Sequence, residues 1–187
     1  LHRKPVFDEI RLWYNTHLAP AVIDHNDQKV YENVYHAGRW CGIFQCSSKG
    51  AQKFFIEAKP RSIIDIAALT SIYRPGPLAA NVHKLWLKEE LYDWGHPLVN
   101  ETLKETKNLL VFQESVMELA NKVGGFPPEQ CDEIRRAIMK RNISIGKESI
   151  EKAKSLEDDF VAGAIKNGVP KETAHSVYEK ILFFSGY

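Results

Sequence analysis

The chain has no excess of charge of either sign. Its 187 residues carry 25 Lys and Arg against 24 Asp and Glu, a formal charge of +1. No global field therefore draws it to nucleic acid or to a membrane surface, and any anion binding has to be local. Cysteine is scarce. Cys41, Cys46 and Cys131 are an odd number with no C-x-x-C pair, which argues against a disulfide framework or a zinc knuckle and for a reducing compartment, the cytoplasm by default. No apolar run approaches the ~20 residues of a membrane-spanning helix, and the charged stretch after Leu1 has none of the layout of a signal peptide. The absence of an initiator Met gives the expectation of a piece excised from a longer polypeptide. Catalytic signatures are missing too: there is no H-E-x-x-H, no G-x-S-x-G elbow and no Gly-rich phosphate loop. Asp158 and Asp159 are adjacent and would project about 100° apart on a helix, unlike the converging carboxylates of two-metal chemistry.

What is present is enough apolar material, 44% of residues, for a real core, arranged mostly at helical spacing. Residues 1–25, with Pro5 and Pro20, read as loop and poorly specified helix. Asn26 or Asp27 caps a helix through Val30, Tyr31, Val34 and Tyr35 that closes at Gly38. Residues 39–46, "RWCGIFQC", alternate weakly and read as a strand or an extended link. Lys49 to Ala58 reads as a helix with Phe54 and Phe55 inward, and Ser62 caps a helix through Ile63, Ile64 and Ile72 that is apolar on most sides and expected to be buried. It must end before "YRPGP", Tyr73 to Pro77. Residues 78–94 predict a surface amphipathic helix. Further helices are expected over Leu98–Lys104, Gln113–Val123, a segment opened by Pro127 or Pro128, Lys147–Lys166 and Lys171–Phe184, with "LLVF" before Gln113 as a possible short strand. The fold class is mainly α with one or two short strands.

Charge is concentrated in one place, "EIRRAIMKRN", Glu133 to Asn142. On a helix over 129–141, Cys131, Ile134 and Ile138 share one side, while Arg135, Arg136 and Lys140 spread over much of the other. The plain reading is a solvated face in which Asp132 pairs with Arg136 at i,i+4. The sharper reading starts from Arg135, Lys140 and Arg141, which are taken to lack an acidic partner within the helix: Arg's planar fork and the Lys point charge suit a polyphosphate or nucleic-acid backbone. The rigid turn expected at Tyr73 and Arg74 suits base stacking or a phosphate grip, although from local features alone a plain helix-terminating turn is the preferred reading. "IFQC" and "FQES" each place an amide after an apolar pair and are uninformative singly.

Their order carries more. "GIFQCSSKG", "IIDIAALTSIYRPGP", "HPLVNETLKET", "LLVFQESVMELANKVGGFPPEQCDEIRRAIMKR", "FVAGAIKNGV" and "ILFFSGY" follow one another in a way that closely resembles the fingers region of family C polymerases, the α subunit of bacterial DNA polymerase III. The resemblance runs from about Asp24 to Tyr187. It divides the chain into 1–38, the end of the palm and a linker, and 39–187, a helical fingers domain truncated at its C-terminal end.

The resemblance implies a replicative DNA-directed DNA polymerase. In that family, palm aspartates outside this chain bind Mg2+ for nucleotidyl transfer, while fingers cations hold the incoming dNTP and the template-primer DNA. Arg135 and Arg136 match the family's paired arginines and Lys140 and Arg141 its paired lysines. Gln45, Tyr73, Arg74, Gln113 and Glu114 match positions that line or brace the same cleft. Ser47, Ser115 and Met139 depart from the family's Glu, Gln and Gly, as in a divergent bacterial or phage member. Implied partners are primed DNA, dNTP, the remaining polymerase chain, a sliding clamp and other replisome subunits, with no membrane. At Tyr187, where the family continues G-F-N-K-S-H, a truncated sequence and an intein or split-gene junction are both open. A non-catalytic helical DNA-binding module that has kept this scaffold is the alternative function.

Overall fold

The computed structural model describes residues 3–141 and 147–184, with the side chains of 3–5, 137–153 and 184 outside that set. Among the described residues every regular element is a helix, with no strand and no helix long and apolar enough to cross a membrane.

Helix α1, Arg3–His17, occupies much of the segment expected to be loop and poorly specified helix, and is a regular helix of 15 residues. Pro5 falls in its first turn, where the missing N–H costs nothing, so it opens the helix instead of interrupting it. Its apolar side chains face out: Phe7, Leu12 and Trp13 are all more than half exposed. Helix α2, Gln28–Val30, is capped by Asp27, whose carboxylate accepts from the Lys29 amide, and continues as π-helical turns over Tyr31–His36.

Helices α3, Lys49–Ala58, and α4, Ile63–Ile72, start at Ser48 and Ser62, whose hydroxyls accept from the Ala51 and Asp65 amides. Phe54 and Phe55 turn inward as expected. Ile63 and Ile64 do not: they are 51% and 39% exposed, and only Ala68, Leu69 and Ile72 of α4 are buried. The first turn of α4 projects beyond the core.

Pro75 restarts the helix at once as the first residue of α5, Pro75–Ala79. "YRPGP" is thus a junction between two helices. The amphipathic helix expected over 78–94 shrinks to α6, Val82–Trp86, because Asn81 takes a left-handed conformation (φ 58°) that severs it from α5. Trp86 is buried, not on a surface face.

Helix α7, Pro97–Thr102, begins at "HP", where His96 caps it by accepting from the Leu98 amide and Pro97 fills the first position; a 3-10 turn, Lys104–Thr106, follows. Helix α8, Gln113–Glu118, passes into π-helical turns over Leu119–Val123. Helices α9, Pro128–Arg141, α10, Lys147–Lys166, and α11, Lys171–Phe184, complete the chain. Gly163 of α10 packs on Gly124 so closely that a Cβ would overlap the Gly124 carbonyl oxygen, which brings α10 against the end of the π-helical turns.

Among the described residues there are two cores. The first gathers Cys46, Phe54, Phe55, Leu69, Ile72 and Trp86. The second gathers residues of α7 through α11, among them Leu119, Ile134, Phe160 and Tyr178. Both places expected to be strands are irregular. Residues 41–45 form turns. "LLVF" is extended and buried between the cores, with Leu109 and Val111 in the first and Leu110 in the second, the alternation of an extended chain. Among the described residues it has no strand to pair with, and the Leu109 carbonyl accepts instead from the Thr106 hydroxyl at 2.6 Å.

Candidate nucleotide-binding site

Each core presents one group of site residues. On the first, Gln45, Tyr73 and Arg74 line a single open pocket of ≈ 270 Å³ together with Ser47, Phe55, Thr70 and Pro75. Gln45 stands in a left-handed turn (φ 58°) just before the Ser48 cap of α3. Tyr73 ends α4, its amide donating to Leu69 O at 2.9 Å, and its ring stacks on Phe54 at 6.2 Å. Arg74, extended ahead of Pro75, is exposed and is the one charged residue of the lining. Ser47 had drawn notice only as a departure from the family's Glu and Phe55 only as a core residue, and Thr70 had no signal of its own; the pocket brings them to the site.

On the second core, Cys131 and Ile134 anchor α9. Another edge carries Arg135 and Arg136, and both are paired. Arg135 donates from Nε and Nη2 to Asp132 Oδ1 at 3.0 and 2.7 Å, and Arg136 Nη2 lies 2.6 Å from Asp132 Oδ2. The expectation that Arg135 has no acidic partner in its own helix is therefore wrong: Asp132 is three residues before it, a spacing as close on a helix surface as four. Two guanidiniums thus meet at one carboxylate, and the Arg136 side chain faces out, 66% exposed against 18% for Arg135. The hydrogen bonds from Arg135, with the Arg136 charge adding to them, hold the Asp132 carboxyl below the usual aspartate range. Lys140 and Arg141 belong to the last turn of α9, but their side chains lie outside the described residues.

The two amide motifs now separate. In "FQES", Phe112 packs on the first core while Gln113 accepts from Arg135 Nη1 at 2.9 Å. Glu114 does not join them: it lines a different pocket with Glu101, Glu105, Ser115, Glu118 and Lys122. Burial pushes the Cys46 and Cys131 thiols up, which suits the packing role both have here.

Residues 4–168 match the family described as bacterial DNA polymerase III alpha subunit finger domain. The chain is 36% identical over 167 residues to the DNA polymerase III subunit alpha of Borreliella burgdorferi, covering 88% of the chain and 14% of the relative. It is 35% identical over 184 residues to that of Campylobacter jejuni, covering 95% and 14%, and 32% identical over 166 residues to that of Aquifex aeolicus, covering 87% and 14%. It thus spans about a seventh of the length of these relatives. With its helical fold and its motifs in the family's order, the chain belongs to the finger-domain family of bacterial DNA polymerase III alpha subunits.

Proposed function

We propose that this chain acts as the fingers of a replicative DNA-directed DNA polymerase, a nucleotidyltransferase, holding the incoming dNTP triphosphate and template-primer DNA for chemistry done by residues outside it. The observation that carries the reading is the cationic edge of α9. Arg135 is fixed by Asp132 and Gln113, and Arg136 stands exposed beside it. A held guanidinium next to an accessible one suits oxygens of a polyphosphate, because the planar fork is already oriented and less side-chain freedom is lost on binding. The Gln45, Tyr73 and Arg74 pocket supplies a ring and a second cation for the nucleotide or the DNA strand.

Mg2+ belongs to the same proposal through residues elsewhere in the polymerase. Among the described residues no group of three or more His, Cys, Asp or Glu is placed to hold a metal ion, and no step within this chain runs through one. Acting alone, the chain is expected not to extend a primer. Residues 1–38 join the fingers, 39–187, to the palm in this reading, and clamp and replisome contacts belong to the longer polypeptide.

The test compares Arg136→Ala with the parent in the polymerase polypeptide that carries this chain. The expected result is a dNTP affinity weaker by on the order of tenfold, the loss of one charge-assisted contact, with primed-DNA affinity near that of the parent. Lost DNA affinity with unchanged dNTP affinity would favour a non-catalytic DNA-binding module instead.

A further inference from the structure

We infer that Gly50 is a positioning residue for Tyr73, setting the ring's place in the nucleotide pocket through a contact that leaves no room for a Cβ; this inference rests on the dNTP reading above. Gly50 is the second residue of α3, and the left-handed conformation that selects glycine elsewhere in the chain is not present here. In an ordinary helical position glycine is a worse choice than alanine, since it loses more backbone freedom on folding. A reason for it has to lie in space, and Tyr73 provides it. A Cβ built on Gly50 would overlap Tyr73 Oη and come within 3.3 Å of Cζ.

Gly50 and Phe54 are one helical turn apart and therefore lie on the same face of α3. Together they form a slot for the tyrosine. Phe54 takes the ring, stacked at 6.2 Å with 26° between planes, and Gly50 takes the hydroxyl end. His83 stands edge-on to Phe54 at 6.3 Å and 85°, so the phenylalanine is itself held on a second side. Tyr73 is only half-buried, and in the pocket it stands with Gln45, Arg74 and Pro75. The depth at which the hydroxyl end settles over Gly50 thus decides how far the ring reaches into the space a nucleotide would occupy. A methyl at position 50 has to displace that end, and with it the ring that lines the pocket.

The experiment is a double-mutant cycle on dNTP affinity and KM in the polymerase polypeptide, with Gly50→Ala made in the parent and in the Tyr73→Phe background. In the parent, Gly50→Ala is expected to weaken dNTP binding by on the order of tenfold, as misplacements of about an ångström in a site do. The effect should fall mainly on KM, with primed-DNA affinity unchanged. In the Tyr73→Phe background the clashing oxygen is gone and the ring tip needs to give only a few tenths of an ångström. There the same alanine should cost less than about twofold, so the two substitutions should be coupled by roughly fivefold or more.

Equal costs in both backgrounds overturn the inference, as does no cost in the parent. If Gly50→Ala alone fails to fold, the comparison of the double variant with Tyr73→Phe decides: a large remaining cost there overturns it. Arg136→Ala is run alongside. If it weakens dNTP binding while Gly50→Ala does not, only the positioning role falls; if neither does, the dNTP reading falls and takes this inference with it.

Discussion

The two halves of the site do the same kind of work by different physics. Tyr73 is placed by packing: a ring on Phe54, a hydroxyl end over Gly50, all resting on a buried aromatic cluster. Arg135 and Arg136 are placed by charge, through one shared carboxylate on a half-exposed helix edge. Packing contacts are indifferent to salt and pH, whereas exposed ion pairs are screened within about 10 Å at 0.1 M salt. The aromatic half should therefore behave as a rigid wall and the cationic half as a tunable one.

The strongest way to break that contrast is at Phe54, which is 5% exposed. Phe54→Ala removes the surface on which Tyr73 stacks and leaves a cavity, at a cost of about 3–5 kcal/mol. Urea denaturation should report this loss equally at low and high salt. A cost that shrinks with added salt would mean that the aromatic half leans on charge after all.

Asp132→Asn probes the other half and should act far more gently on stability, because the pairs it weakens are solvent-screened. Its larger effect is on binding. Removing a negative charge beside the guanidiniums lowers the repulsion of a polyanion, so inorganic triphosphate should bind modestly tighter at low ionic strength, and the gain should vanish in high salt. Weaker binding at all salt concentrations would show instead that Asp132 is needed to aim the guanidiniums.

The same contrast explains how much could be read in the sequence. Local features were legible because local chemistry fixes them: Asp27 and Ser62 cap their helices as expected, and Gly38 closes one at φ 70°. The α9 helix with Cys131 and Ile134 inward followed from spacing. Asp132 beside Arg135 was there to be found, but counting only i,i+4 partners passed over i,i+3.

Other features had no local signal. The hydrogen bond from Arg135 to Gln113 spans 22 residues, and the slot for Tyr73 needs α3 and α4 side by side. The π-helical turns at Tyr31–His36 and Leu119–Val123 have the same apolar spacing as the α-helices they extend. The strand expected at "LLVF" failed for an instructive reason: an extended segment sandwiched between two cores alternates like a strand without pairing with one.

The smallest expected effect isolates the shared carboxylate. Asp132 is held below its ordinary range first by the hydrogen bonds from Arg135, with the nearby Arg136 charge acting the same way. Its folded pKa lies under the unfolded value of about 3.9. The stability it contributes is thus fully present above that value and is lost as pH falls through the folded pKa. Asp93, depressed by hydrogen bonds from Asn100 and the Gly95 amide, titrates in the same acid window, so the total curve is ambiguous and the difference between parent and Asp132→Asn is the quantity to measure. That difference should be constant above about pH 5 and shrink toward zero in acid. A difference that grows on acidification would reverse the sign of the coupling. Gln113 does not titrate, so Arg135 keeps that partner at any pH while Arg136 loses its carboxylate. Acid should therefore loosen the exposed guanidinium before the held one.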